Sequence, residues 1–184
     1  MRIDIHTKRL TLRRISLLDI PRVYEILSDE RVVSSYGIEA FGTVDEAEEW
    51  VKKWVEQYEA NGLDGYRWAI CQRADPDVLI GSCGFHNVNR DNSSIEIGYE
   101  LNPRYWRGGV TTEAVQAMLK YCFTEDFPFS VNRVAATTDL DGAASIALLE
   151  RLGFEEEGIL RSFGYWRGSF HDVRLYSLIR NERL

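Results

Sequence analysis

One stretch of the chain, IEIGYELNPRYWRGGVTTEA (residues 95–114), joins a strand-like segment to a helical pattern through two adjacent glycines, Gly108 and Gly109. Apolar residues alternate before the glycines and recur at helical spacing after them. Glycine adopts positive φ readily and lets a ligand approach bare amides. The first amides of a helix lack intrahelical partners and bear partial positive charge. The stretch therefore predicts a turn whose amides, from Arg107 to Thr112, bind a pyrophosphate, with an ordinary unliganded turn as the alternative.

Two common phosphate-binding motifs do not match this turn. No Gly-Lys-Ser/Thr sequence follows it, as a Walker A loop requires, and its glycines do not form the Gly-x-Gly-x-x-Gly fingerprint. No suitable acidic residue lies about 20 residues downstream at a second strand. Arg104 and Arg107 either add positive charge at the mouth of the turn or are solvated surface residues. We therefore expect an anion site of a different kind.

The composition predicts one globular domain, residues 1–184, with 45% hydrophobic and 28% charged residues. A net charge of −7 argues against a nucleic-acid partner. No apolar run approaches the roughly 18 residues that cross a bilayer, and the first ten residues lack the apolar region of a signal peptide. The three cysteines and three histidines are scattered, without metal-ligand spacing. We expect a cytoplasmic protein with no metal, no membrane partner and no disulfide.

The order of strand and helix patterns predicts an α/β fold with one mixed, mostly antiparallel sheet and helices on both of its faces. Asp19 is the expected N-cap of a first helix, and Thr43 with Glu46 form a capping box for a second helix that Gly62 ends. ADPD (74–77) and NRDN (89–92) are turn signals. The strands are expected at 10–14, 66–73, 79–88, 94–101, 131–138, 155–166 and 169–180, and later helices at 110–124 and 143–153.

Four segments, in this order and spacing, resemble the GNAT superfamily of acetyl-CoA-dependent N-acetyltransferases, and most of all its ribosomal-protein N-terminal acetyltransferase branch. The resemblance implies the GNAT fold and acetyl-CoA as co-substrate. It implies direct transfer to a primary amine, such as a protein N-terminal α-amine, in a ternary complex, and a possible homodimer. The four segments are TKRLTLRRISLLD (7–19), residues 95–114, AASIALLERLGFEEEGILR (143–161) and GYWRGSFHDVRLYSLI (164–179).

The resemblance also implies which residues contact the cofactor. Backbone groups near the end of the central strand would bind the pantetheine arm where that strand separates from its neighbour, and the glycine turn would bind the pyrophosphate. Ser145 would approach the thiol. The implied cofactor-binding residues are Leu101, Asn102, Trp106, Arg107, Gly108, Gly109, Val110, Thr111, Thr112 and Ser145.

Three positions depart from the family pattern. Thr111 replaces a usual Gly or Ala at the last position of the turn, and Gly142 replaces a frequent cofactor-contacting Asn. Leu149 occupies the position of a Tyr that protonates the departing thiolate in many relatives. Ser145 is the nearest candidate for that role, and solvent or a helix-capping function for Ser145 are the alternatives.

The general base is predicted among carboxylates of the central strand. Glu96 and Glu100 share one face of residues 94–101, opposite the apolar face, and either could accept a proton directly or through water. Solvated or paired strand residues are the alternative interpretation. His86 is a further candidate, whereas Gly164 stands where a downstream Glu would serve in a relative.

A site without a strong base favours an acceptor of low pKa. Deprotonation at pH 7 costs roughly 1 kcal/mol for an α-amine and about 4.6 kcal/mol for a lysine. We therefore expect a protein N-terminus as acceptor. A small amine (an antibiotic, a polyamine or an amino-acid derivative) is the alternative, with residues 34–43 and 167–172 shaping its site. A CoA-binding protein without catalysis is the third possibility.

Overall fold

Eight strands form one sheet in the computed structural model, which describes residues 3–34, 37–58 and 64–180. The sheet order is β1-β2-β3-β4-β5-β6-β8-β7, and only the β5–β6 pair is parallel. The predicted single, mixed and mostly antiparallel sheet is therefore confirmed. The strands are β1 (Ile5–His6), β2 (Leu10–Arg14), β3 (Tyr66–Gln72), β4 (Asp75–Asn89), β5 (Ser94–Leu101), β6 (Arg133–Asp139), β7 (Glu155–Trp166) and β8 (Ser169–Ile179).

Helices cover both faces of the sheet, as the sequence predicts. Side chains of β3 alternate, so that Trp68 and Ile70 pack in one buried cluster while Ala69 and Cys71 pack in another. The first cluster includes residues of α4 and α5, and the second includes residues of α1, α2 and α3. The helices are α1 (Ile20–Leu27), α2 (Glu30–Val33), α3 (Val44–Gln57), α4 (Val110–Cys122) and α5 (Ala143–Arg151).

The element boundaries differ from the sequence prediction in a few places. The β3–β4 hairpin turns at residues 73–74, because Gln72 already pairs with Asp75, so β4 begins inside the predicted ADPD turn. The short elements β1 and α2 were missed, since two or four residues cannot establish a periodicity. The expected helix stop at Gly62 lies outside the described residues. Within the described part of the chain, no helix is long and apolar enough to cross a membrane.

The site is positioned by the separation of β5 from β6. Their parallel register covers only Ser94–Glu96 against Arg133–Ala135. Beyond Glu96, β5 continues to Leu101 in its antiparallel register with β4, up to the Gly81–Leu101 pair. The second half of β5 thus faces an opening, and α4 begins shortly after this strand ends.

We expect any side chain at Gly84, in the centre of the sheet, to destabilise the protein. A Cβ at this position would lie 2.2 Å from the carbonyl oxygen of Tyr66 on the paired strand, and β5 pairs with the other edge of β4. Gly84→Ala should lower the free energy of unfolding by about 1–3 kcal/mol, measured by urea denaturation. Gly42→Ala is the control, because its Cβ would meet only Glu46 Oε2, at 3.7 Å. Equal stability of the two variants would contradict the strand packing described here.

Candidate functional site

The glycine turn opens the N-terminus of α4. Gly109 is the N-cap and has φ +71°, while Arg107 has φ +63°. Gly108, between them, has no positive φ, so the turn requires glycine for its backbone conformation only at Gly109. The first amides of α4, from Val110 to Thr112, have no preceding helical turn to bond. The turn therefore offers donors and partial positive charge to an anion.

A segment from the start of the chain holds this turn. The Arg9 guanidinium donates through Nη1 to the Gly108 carbonyl oxygen (2.9 Å) and through Nε to Glu113 Oε2 on α4 (2.6 Å). Glu113 Oε1 accepts hydrogen bonds from the Thr7 hydroxyl (2.6 Å) and the Arg9 amide (3.0 Å). This network was not predicted from the sequence. Its only signal was that the segments 7–19 and 95–114 both carry family resemblance.

The backbone groups of Leu101 and Asn102 at the end of β5 bond within the protein: the Asn102 amide donates to the Ile80 carbonyl oxygen (2.9 Å), and the Asn102 carbonyl oxygen accepts from the Tyr105 amide (2.9 Å). Leu101 is in the core, and its carbonyl oxygen accepts a hydrogen bond from Trp106 Nε1 (2.8 Å). The Asn102 side chain is 8% exposed; its Nδ2 donates to Glu25 on α1 (3.0 Å), and its Oδ1 accepts from the Arg104 amide (3.1 Å). The side chain of Asn102 thus ties the end of β5 to α1.

A cavity of about 590 Å³, here called the turn cavity, lies between the glycine turn and α5. The end of β5 forms its floor, and Ala144, Ser145 and Leu148 of α5 form the opposite wall. Asn102 and Gly108 do not line it. The structure brings together here eight of the residues expected to bind the cofactor: Leu101, Trp106, Arg107, Gly109, Val110, Thr111, Thr112 and Ser145.

Two hydroxyl groups meet in the turn cavity. Ser145 lies in the first turn of α5, and Tyr99 reaches it from β5. Burial raises the pKa of Tyr99 to about 12, and the interaction with Ser145 opposes that rise. The phenol is therefore neutral at physiological pH and available as a hydrogen-bond donor. Tyr99 was not among the site residues predicted from sequence.

Packing constrains two of the positions that depart from the family pattern, Gly142 and Leu149. A Cβ at Gly142 would lie 2.3 Å from Thr138 Oγ1, so β6 leaves no room for a side chain there. Leu149 is fully buried in the core beneath α5. Neither position can therefore offer a polar group to the turn cavity.

A second cavity, of about 570 Å³, adjoins the first along β5 and is here called the aromatic cavity. Glu96, Ile97 and Gly98 line the aromatic cavity, whereas Tyr99, Glu100 and Leu101 line the turn cavity. Its other walls come from α3, the end of β6 and β7. Because consecutive residues of one strand line the two cavities, a molecule in each would meet at the middle of β5.

Glu96 presents a charged carboxylate to the aromatic cavity. Nε2 of His86 lies 3.7 Å from Glu96 Oε1, the Asn87 amide donates to Oε2 (2.9 Å), and the Thr137 hydroxyl donates to Oε1 (3.3 Å). These neighbours, His86 foremost, lower the pKa of Glu96 below its usual value, against the opposing effect of burial. Glu96 is thus ionised at neutral pH, and His86 lines the same cavity.

Glu100 lies in a different environment from Glu96. Its carboxylate forms a buried ion pair with Arg67 and accepts a hydrogen bond from the Ser82 hydroxyl, and its side chain is 5% exposed. Arg67 in turn donates through Nε to Ser82 Oγ (2.6 Å), and its guanidinium lies 5.0 Å from the Trp54 ring centre. The two predicted carboxylates therefore have distinct surroundings: Glu96 faces the aromatic cavity, whereas Glu100 lines the turn cavity but is bonded to Arg67 and Ser82.

A side chain at Gly164 would require the Trp166 ring to move. A Cβ there would lie 2.5 Å from Cζ3 of Trp166, whose ring stacks on His171 with 4.4 Å between ring centres and a 9° interplanar angle. A carboxylate at this position is therefore incompatible with the observed place of Trp166.

We expect the buried pair to stabilise the sheet strongly. Arg67→Ala would leave Glu100 buried without its cation, which costs about 3–5 kcal/mol in comparable pairs. Urea denaturation should show this loss. The exposed pair between Arg22 and Glu25 (2.7 Å) provides the control, and Arg22→Ala should change stability by no more than about 1 kcal/mol. A small loss of stability in both variants would show that the buried Glu100 carboxylate does not depend on Arg67.

Comparisons with known proteins agree with this geometry. A family model described as an acetyltransferase (GNAT) domain matches residues 9–155. The uncharacterized N-acetyltransferase YoaA of Bacillus subtilis (strain 168) is 32% identical over 176 residues, 96% of each chain. A GNAT-family acetyltransferase from Bacillus anthracis superposes with a TM-score of 0.82 at 26% identity, covering 98% of this chain and 100% of that one.

A third comparison concerns a fold match with a ligand. RimL, a ribosomal L7/L12 alpha-N-protein acetyltransferase solved in complex with coenzyme A, superposes with a TM-score of 0.80 at 20% identity, covering 96% of this chain and 98% of that one. This identity supports the fold alone. Together with the family model and the 32% identical relative, the glycine turn and the separated strands confirm the resemblance in the sequence: the chain belongs to the GNAT family of acetyltransferases.

Proposed function

We propose that the protein transfers the acetyl group of acetyl-CoA to the α-amine of a polypeptide N-terminus, by direct attack in a ternary complex. The observation that supports this proposal is the pair of cavities that meet on β5. The turn cavity has the glycine turn, whose amides can bind an anion, at its mouth. The aromatic cavity has the ionised Glu96 on its wall. A cofactor and an acceptor bound in these cavities would approach each other from opposite ends.

The turn cavity fits the cofactor. Its pyrophosphate would accept hydrogen bonds from the amides around Gly109 and from the first turn of α4. The pantetheine arm would follow the end of β5, where sheet pairing with β6 has ended, and the thioester would lie near Ser145 and Tyr99. The coenzyme A complex of RimL, which has the same fold, supports this placement.

The chemistry requires positioning more than strong acids or bases. The neutral amine attacks the thioester carbonyl carbon, a C–N bond forms, the C–S bond breaks, and its electron pair stays on sulfur. The amine loses one proton toward Glu96 or water, and the thiolate gains one from Ser145 or solvent. Holding the two reactants together lowers the barrier by several kcal/mol, and backbone donors near the thioester oxygen would contribute about 3 kcal/mol more.

The weak basicity of Glu96 favours an α-amine. A carboxylate whose pKa is below its usual value orients an ammonium group but removes its proton poorly. An α-amine with pKa near 7.7–8.0 is partly neutral at physiological pH, whereas a lysine with pKa near 10.4 is not. RimL, an alpha-N-protein acetyltransferase of the same fold, agrees with this preference. A cytoplasmic location and a homodimer remain predictions.

Small primary amines are the second candidate acceptors. The aromatic cavity, at about 570 Å³, is large enough to enclose one. The choice is tested by incubating the protein with acetyl-CoA and N-terminal peptides, polyamines or aminoglycosides, and measuring thiol release. An N-terminally acetylated peptide is the matched negative control. Turnover of small amines alone would replace the proposal, and cofactor binding without any transfer would indicate a non-catalytic CoA-binding protein.

We expect a bulky residue at the turn to block the cofactor. Thr111→Phe would place a ring over the first amides of α4, and losing one hydrogen bond to a charged group costs about 1.5–3 kcal/mol, or roughly 10- to 150-fold in affinity. Calorimetric titration with coenzyme A measures this. Gln116→Phe, exposed on the same helix, is the matched control and should bind normally. Unchanged affinity in Thr111→Phe would reject the turn as the pyrophosphate site.

The pH dependence of kcat/KM should show whether Glu96 only orients the amine or is itself the group that titrates. Because its pKa is lowered, Glu96 is charged throughout pH 6–9, so the rise of kcat/KM with pH should follow the acceptor α-amine, near 7.7–8.0. Glu96→Gln should lower the plateau about 10- to 150-fold, the value of one charged hydrogen bond, and leave the midpoint in place. Glu125→Gln, whose side chain is 95% exposed, should change neither. A shifted midpoint in Glu96→Gln would show that Glu96 itself titrates.

A further inference from the structure

We infer that the acceptor's first residue has an aromatic or large apolar side chain and no anionic group next to its α-amine. This inference rests on the proposed function and narrows its substrate class. It is drawn from the walls and the charges of the aromatic cavity.

The walls of the aromatic cavity include ring systems from four elements, α3, β3, β4 and β7. Trp50 and Trp54 of α3 contact each other edge to face, with ring centres 5.7 Å apart. Phe163 and Tyr165 of β7 line the opposite side and are 51% and 63% exposed. Exposed rings around a concavity leave apolar area that an apolar ligand would remove from water. The shape and lining thus suit a side chain of similar character.

Trp166 contributes a wall that is already packed. Its ring stacks on His171, with 4.4 Å between ring centres. The ring also lies beside Gly37, in the segment between α2 and α3, since a Cβ there would be 3.6 Å from Cε3. Because the indole has these neighbours before a ligand binds, binding costs less side-chain entropy than ordering a free ring would.

The charges in the cavity oppose an anion. Glu96 and Asp139 both line it, and Glu96 is ionised at neutral pH. Among the described lining residues, Arg67 is the sole arginine or lysine, and it forms the buried ion pair with Glu100. Arg167, near Asp139, pairs with Glu30 (2.9 Å) and does not line the cavity. A carboxylate or phosphate next to the amine would therefore meet repulsion.

The amine and the side chain have separate places along the cavity. Glu96 lies where the pairing of β5 with β6 ends, two residues before Gly98 at the border with the turn cavity, so the ammonium group belongs between Glu96 and that border. The rings of β7 and α3 lie around the rest of the cavity. An α-amine at Glu96 therefore directs its own side chain toward the rings, and its carboxyl group is tolerated only in amide linkage.

Titration of acceptors into the protein saturated with coenzyme A tests the inference without requiring turnover. Peptides of one length that begin with Phe, Ala or Asp are compared at one pH, as are phenylalaninamide and phenylalanine. We expect the Phe peptide to bind about tenfold or more tightly than the Ala peptide. The Asp peptide and free phenylalanine should bind more weakly than the Ala peptide. Equal affinities, or a preference for Asp or for the free acid, would overturn the inference.

Variants test whether the preference for Phe peptides arises in the aromatic cavity. Phe163→Ala should reduce the ratio of Phe to Ala peptide affinities at least about threefold, while Ile159→Ala, on the same strand, 50% exposed and outside the cavity lining, should preserve it. Asp139→Asn should improve binding of free phenylalanine relative to its amide. Loss of the ratio in both the Phe163 and the Ile159 variants, or in neither, would overturn the assignment to this cavity. Thiol release from acetyl-CoA is read separately, so failure of catalysis is distinguishable from failure of the preference.

Discussion

The three-residue parallel contact between β5 and β6 is the constraint on which the site depends. A longer parallel ladder would use the backbone groups along the β6 side of β5 and leave no room for a ligand. Because the register ends at Glu96 and Ala135, the next residues of β5 line first the aromatic cavity and then the turn cavity. Polar backbone groups next to such an opening require partners. In the proposed reaction, the cofactor supplies them.

The start of the chain contributes to the same site through Arg9. Its ion pair with Glu113 joins side chains that are 50% and 21% exposed, so its effect on stability is modest. Its geometry is more specific, because one guanidinium bonds both the Gly108 carbonyl oxygen and the carboxylate in the first turn of α4. We interpret Arg9 as a group that orients the turn rather than one that stabilises the fold.

Local patterns predicted the sheet and the glycine turn, because strands, helix starts and positive-φ turns are encoded within short stretches. The family resemblance, rather than these patterns, implied the neighbours of the turn in the turn cavity. The ion pairs that support the site were not predictable in this way. Arg9 and Glu113 are 104 residues apart in sequence, and Arg67 and Glu100 are 33 apart. No periodicity connects such partners. The two glutamates of β5 share a strand face in the sequence, and only tertiary contacts distinguish their environments.

The departures from the family pattern are linked through packing. Trp166 occupies the space where a side chain at Gly164 would lie, so an aromatic wall and a carboxylate at that position exclude each other. Thr138 and the core likewise leave no polar group at Gly142 and Leu149. A site arranged in this way lacks a strong fixed base, and the proposed restriction to α-amines follows from that lack. Trp166, which occupies the space of a carboxylate at position 164, also belongs to the surface that is proposed to select the acceptor. The weak basicity of the site and its preference for aromatic acceptors would then have one structural origin.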